Sequence, residues 1–104
     1  MITLNLAIYD GSIMFINFED TEELIEYLPE LKRFDCIWLA TNDGEYGEIF
    51  VTENIDVLIN IFKANLFKIR EGKYNKIFLQ EYQTYEDAYN VALDMREGNE
   101  RCYN

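Results

Sequence analysis

Hydrophobic and polar positions alternate from the start of the chain: Ile2, Leu4, Leu6 and Ile8 stand against Thr3, Asn5 and Ala7. A period of two predicts a strand with one face buried. Asp10-Gly11 follows as a turn that accepts positive φ, and Ile13–Phe18 returns as a second strand. A two-residue loop sets Ile8 opposite Ile13 and Leu6 opposite Phe15, so that the apolar faces coincide. Asp20 then stands as an N-cap with Glu23 three residues on, a capping box. Leu24, Leu28 and Leu31 recur at helical spacing with Ile25 beside them. Pro29 removes a backbone donor and clashes with the preceding turn, which predicts a break and a separate turn over residues 29–34.

The same plan recurs twice. Residues 36–40 read as a strand, Asn42-Asp43-Gly44 as a turn and residues 48–51 as a strand. A helix over residues 54–64, capped by Thr52 or Asn54, lines up Ile55, Leu58, Ile59 and Phe62, and Asn65 suits a left-handed C-terminal cap. In the third unit, strands over 66–70 and 76–83 flank a turn containing Gly72. Thr84 caps a last helix with Asp87 at the third position. Its apolar stripe is Ala88, Val91, Ala92 and Met95, and Gly98 stops it before a loose tail over 99–104. The caps Asp20, Thr52 and Thr84 are 32 residues apart. This pattern predicts one α+β domain over residues 1–98, in ββα-ββα-ββα order. Its sheet is antiparallel with about six strands, and the helices lie on one face.

A chain of 104 residues, 49% hydrophobic and 15% aromatic, is long and apolar enough for one core. No apolar run approaches the roughly 18 to 20 residues of a membrane span, and Met1-Ile2-Thr3-Leu4 lacks a basic leader, so the expected location is cytoplasmic. Cys36 opens an apolar run and reads as a small buried hydrophobe, while Cys102 lies in the polar tail.

Charge changes the picture. The net charge is −11, and all of it falls in residues 1–62, where thirteen acids face only Lys32 and Arg33. Residues 63–104 balance seven acids with seven bases. Such a surface repels phosphate backbones and anionic membranes, and it favours a basic protein partner.

Catalytic chemistry finds little support. The chain has no His, which removes the usual general base and the commonest metal ligand. Ser12 sits beside a turn glycine, and the Cys36 thiol lies in an apolar run without a base. Neither Glu22, Glu23 and Glu26 nor Asp43, Glu45 and Glu48 follow a calcium-loop pattern, and the five glycines form no phosphate cradle. The expectation is a non-enzyme with no cofactor and no metal. Eight Tyr and seven Phe invite a base-stacking reading, but that needs a basic groove. Lys68, Arg70, Lys73 and Lys76, with Phe67 and Tyr74, are offset by neighbouring acids. Tyr27, Tyr46, Tyr82, Tyr85 and Tyr89 are candidate interface anchors.

The expected contact surface is therefore acidic. Glu19, Asp20, Glu22, Glu23, Glu26 and Glu30 lie on and beside the first helix. Asp43, Glu45 and Glu48 come from the second hairpin, Glu53 and Asp56 from the start of the second helix, with Tyr27 and Tyr46 nearby. Acids in a first helical turn complement the macrodipole, which accounts for Glu22 and Glu23 without a partner. Glu19, Glu26, Glu30, Asp43, Glu45 and Glu48 have no such local explanation. Carboxylates held on a rigid scaffold present a field like that of duplex DNA, which carries one charge per about 1.7 Å of axis.

In size, acidity and lack of catalytic motifs the chain resembles, as a broad class, the phage-encoded anti-CRISPR and antirestriction inhibitors. It also resembles small acidic immunity proteins and antitoxins that plug nucleases. Its Asn-, Ile-, Tyr- and Glu-rich composition fits an AT-rich phage or mobile element. The resemblance implies a stoichiometric inhibitor occupying the basic nucleic-acid cleft of a defence nuclease or effector. The alternatives are an immunity protein or antitoxin, and a non-catalytic adaptor.

Overall fold

A computed structural model describes residues 1–33, 36–42, 48–67 and 75–101, with Asn75 and residues 97–101 described by their backbone alone. The strands are β1 (Ile2–Ala7), β2 (Ile13–Phe18), β3 (Ile37–Asn42), β4 (Ile49–Thr52) and β5 (Asn75–Tyr82). The helices are α1 (Thr21–Tyr27), α2 (Ile55–Lys63) and α3 (Tyr85–Arg101), with a short 3-10 turn over Leu28–Leu31 after α1. The 3-10 turn sits where Pro29 was expected to break the helix.

The sheet order is β2-β1-β5-β3-β4. The last strand thus enters the centre, parallel to β1 and antiparallel to β3. The fold is α+β, as expected, but the sheet is mixed and not antiparallel throughout, and it has five strands among the described residues. Leu66 and Phe67, where a sixth strand was expected to begin, are not in a strand, and residues 68–70 lie outside the described residues.

One face of the sheet, the front, carries Ile2, Leu4, Leu6, Trp38, Ala40, Ile77 and Leu79, all buried. α1, the 3-10 turn and α2 close over it with Leu24, Leu28, Leu31, Ile55, Leu58 and Phe62 in one continuous core. Phe67 completes that layer, with its ring 5.1 Å from Phe62 and 5.7 Å from Phe50. Leu39 points the other way from its neighbour Trp38, yet it is equally buried. α3 covers it, packing on β3, β4 and β5 with Ala88 and Ala92 buried beneath. Helices therefore lie on both faces, not one. The physical reason is the apolar run Ile37-Trp38-Leu39-Ala40, which has no polar face and must be covered on both sides.

The first hairpin departs from expectation by one residue. Ile8 N–H donates to the Ser12 carbonyl, Gly11 N–H to the Ile8 carbonyl, and Gly11 takes φ of 98°. This three-residue loop with a left-handed glycine pairs Leu6 with Met14 and Asn5 with Phe15, not Leu6 with Phe15. A slip of one residue exchanges the faces. Met14, Ile16 and Phe18 take the front, and Ile13, Phe15 and Asn17 the back. The opposite choice would put the Asn17 amide against the core, where an unpaired polar group is costly.

The capping expectations resolve individually. Asp20 Oδ1 accepts from Glu23 N–H at 2.9 Å, and Glu23 Oε2 reaches back to accept from the N–H of Glu19, one residue before the cap, at 3.0 Å, a variant of the expected box. Asn54, not Thr52, caps α2, its Oδ1 accepting from Val57 N–H at 3.0 Å. Thr52 is instead a buried residue of β4, so the regular 32-residue spacing of caps does not hold. Thr84 Oγ1 accepts from Asp87 N–H at 3.2 Å, and Asn65 takes φ of 57°. α3 passes through Gly98 to Arg101, where a stop and a tail were expected. A single glycine costs only about 1 kcal/mol in a helix, too little by itself to end one.

Candidate acidic interface

Each acid of the first helix is placed by its cap. The Asp20–Glu23 box starts α1 with Leu24 turned into the core, so Glu22, Glu23 and Glu26 stay exposed. Glu22 and Glu26 are one turn apart on the same line, and Glu30 follows, also exposed, on the 3-10 turn. Glu19 and Asp20 are exposed at the head of this row. α2 packs against both α1 and the 3-10 turn, which brings Glu53 and Asp56 into the same layer. The structure thus gathers the acids of two segments onto one helical surface, opposite the open part of the sheet.

The two bases of this half are both paired, Lys32 within the layer and Arg33 with the sheet. Lys32 Nζ lies 3.1 Å from Asp56 Oδ2. Arg33 Nη1 lies 3.6 Å from Glu81 Oε2 on β5. No ion pair among the described residues involves Glu19, Asp20, Glu22, Glu26 or Glu30. Glu23 and Asp20 have a structural duty in the capping box, so Glu19, Glu22, Glu26 and Glu30 are the carboxylates of this row with no hydrogen bond or ion pair among the described residues.

The remaining expected contact residues fall differently. Glu48 sits just before β4, half-buried, with its N–H donating to Asn42 Oδ1 at 2.9 Å. Asp43, Glu45 and Tyr46 lie outside the described residues. Tyr27 is not a free anchor: it is half-buried and its ring packs on Phe18 at 5.4 Å. Tyr82 is half-buried and donates its hydroxyl to Gln80 Oε1 at 3.0 Å. Burial, and then the negative charge of Asp87, push the Tyr82 hydroxyl pKa up from its ordinary value. Tyr85 and Tyr89 are exposed and stack at 6.0 Å along one line of α3. In the first hairpin, Asp10 has its pKa lowered by the hydrogen bonds it accepts from Ser12.

A buried polar row escaped the sequence reading. Thr52, Trp38 and Glu81 are register partners across β4, β3 and β5 on the front face. Thr52 Oγ1, Trp38 Nε1 and Glu81 Oε2 are each buried without a hydrogen-bond partner. Arg33 lies within ion-pair distance of Glu81 but outside hydrogen-bond reach. The available signal was period two: Glu81 continues the buried stripe of Ile77 and Leu79.

Among the described residues no group of three or more His, Cys, Asp or Glu is arranged to hold a metal ion. Cys36 is a buried free thiol whose S–H donates to the Arg33 carbonyl at 3.5 Å. No helix among the described residues is long and apolar enough to cross a membrane. What fold and surface define is an α+β domain with a mixed five-stranded sheet and an acidic helical layer. Comparison with protein-family models, curated proteins and solved structures finds no match for the chain.

Proposed function

We propose that this protein is a non-catalytic binder of a basic protein, docking through the acidic layer of α1, the 3-10 turn and the start of α2. The partner class is a nuclease or other nucleic-acid-handling effector, whose cationic cleft the carboxylates occupy in place of phosphate. The observation that carries this reading is the disposition of charge: Lys32 and Arg33 pair with Asp56 and Glu81, and Glu22, Glu26 and Glu30 stand on one exposed line with no ion pair among the described residues. Like charges held together lower stability, so the layer has a cost that binding a cation repays. Inhibition of a defence nuclease is the role we favour, in the manner of anti-CRISPR and antirestriction inhibitors, and neutralisation of a nuclease toxin uses the same contact.

The test is inhibition of DNA cleavage by candidate nucleases at one-to-one stoichiometry, with Glu22, Glu26 and Glu30 reversed to Lys. Glu23 is left intact because it holds the Glu19 N–H. Loss of inhibition in the reversed protein supports the reading, and inhibition unchanged by the reversal rejects it. A second reading, an adaptor gripping its partner by aromatic contact, is favoured by the exposed Tyr85–Tyr89 stack. It predicts loss of binding on Tyr85→Ala and Tyr89→Ala, with little dependence on salt.

A further inference from the structure

α3 covers the back of the sheet over β3, β4 and β5, and at the other end the back of β2 lies open among the described residues, with Ile13 66% and Phe15 71% exposed. β2 is also the sheet's edge, bonded to β1 alone. The Ile8 N–H to Ser12 carbonyl bond fixes the phase of that ladder, since pairing alternates along an antiparallel strand. Even-numbered residues of β2 bond toward β1. The N–H and C=O of Ile13, Phe15 and Asn17 therefore point outward, from the same residues whose side chains stand on the open back.

We propose that the chain forms a two-fold symmetric homodimer by antiparallel pairing of β2 with the β2 of a second copy, Phe15 against Phe15. Antiparallel edge pairing about an axis normal to the sheet keeps both back faces on one side. It sets Ile13 opposite Asn17 of the other copy. The contact closes on itself, because the same strand serves both copies.

Three observations select a second copy as the occupant. β2, with sequence IMFINF, has no charge and no proline, so the devices that normally protect an edge strand are missing. β2 itself offers a basic partner no carboxylate, since the exposed Asp10 and Glu19 stand beyond its two ends and the acids of the helical layer lie on the opposite face. Area is sufficient: Tyr9, Ile13, Met14 and Phe15 together expose on the order of 450 Å². Two such surfaces, with their backbone edges, bury about 1,000 Å², the low end of specific interfaces. Net charge opposes association of two copies, so salt strengthens this dimer, whereas it weakens the proposed contact with a basic partner.

Sedimentation velocity tests this with the whole chain, from about 5 to about 500 µM, in about 50 and about 500 mM NaCl. The expected mass moves from 12.4 kDa to twice that value, at lower protein concentration in the higher salt. Phe15→Lys raises the dimer dissociation constant at least about tenfold. Ile13→Pro weakens the dimer as well, by removing an outward N–H donor while an apolar side chain, though a smaller one, stays at the position. Circular dichroism of both variants matches the parent. A monomer at every concentration overturns the proposal, as does a dimer that neither variant weakens or a mass that grows beyond two chains. The Glu22, Glu26 and Glu30 reversal leaves the effect of Phe15→Lys intact, so failure of the acidic-interface reading does not touch this result.

Discussion

Removing the Arg33 side chain isolates Glu81, whose carboxylate is buried on the front face. Glu81 is 9% exposed in its side chain and Arg33 is 51% exposed, with 3.6 Å between the charges. At that distance an effective dielectric constant of about 20 gives an attraction of about 4 to 5 kcal/mol. Half-exposure of the guanidinium screens most of it, leaving about 1 to 2 kcal/mol. Arg33→Ala removes that attraction and leaves a buried charge with no hydrogen bond, so the variant should lose about 1 to 2 kcal/mol of stability. Glu81→Gln removes the charge and keeps the shape. In that background Arg33→Ala should cost less than about 0.5 kcal/mol. The assay is urea unfolding followed by the fluorescence of Trp38, the single tryptophan, fully buried and paired in register with Glu81. An equal cost of Arg33→Ala in both backgrounds would refute the coupling.

Leu39→Ala should cost about 2 to 4 kcal/mol by thermal or urea unfolding, because α3 buries this side chain on the back face. A cost below about 1 kcal/mol would mean that the back of β3 is open. Tyr82 sets a limit at high pH. Its pKa is raised, so its contribution is complete below the ordinary tyrosine value of about 10 and is lost as pH rises through the raised value. The stability difference between the parent and Tyr82→Phe, measured by urea unfolding, should therefore shrink above about pH 10, and a difference constant with pH would contradict the shift.

Local chemistry was readable from the chain where a few adjacent residues decide the outcome. Asp20 with Glu23, Thr84 with Asp87, Asn65 and Pro29 each specify a cap or a break within one turn, and each sits where expected. Register was not readable, because Ile13-Met14-Phe15-Ile16-Asn17-Phe18 is apolar in both phases and only Asn17 distinguishes them. The parallel pairing of β1 with β5 joins residues more than seventy positions apart, beyond the reach of any local pattern. The second helical face was legible in principle from Leu39 beside Trp38. For the acidic interface, the number and rough grouping of carboxylates could be counted. That Asp56 holds Lys32, Tyr27 lies on Phe18 and Arg33 reaches Glu81 required the folded chain.

The central claim is that the α1 layer substitutes for nucleic acid on a basic partner. Its most direct measurement is displacement of labelled duplex DNA from a nuclease that the protein inhibits, followed across salt concentration. The expected result is displacement at one-to-one stoichiometry, with apparent affinity falling at least about tenfold between about 50 and about 200 mM salt. Displacement should vanish when Glu22, Glu26 and Glu30 are reversed to Lys. Simultaneous binding of DNA and protein, or displacement that survives the reversal, would contradict it.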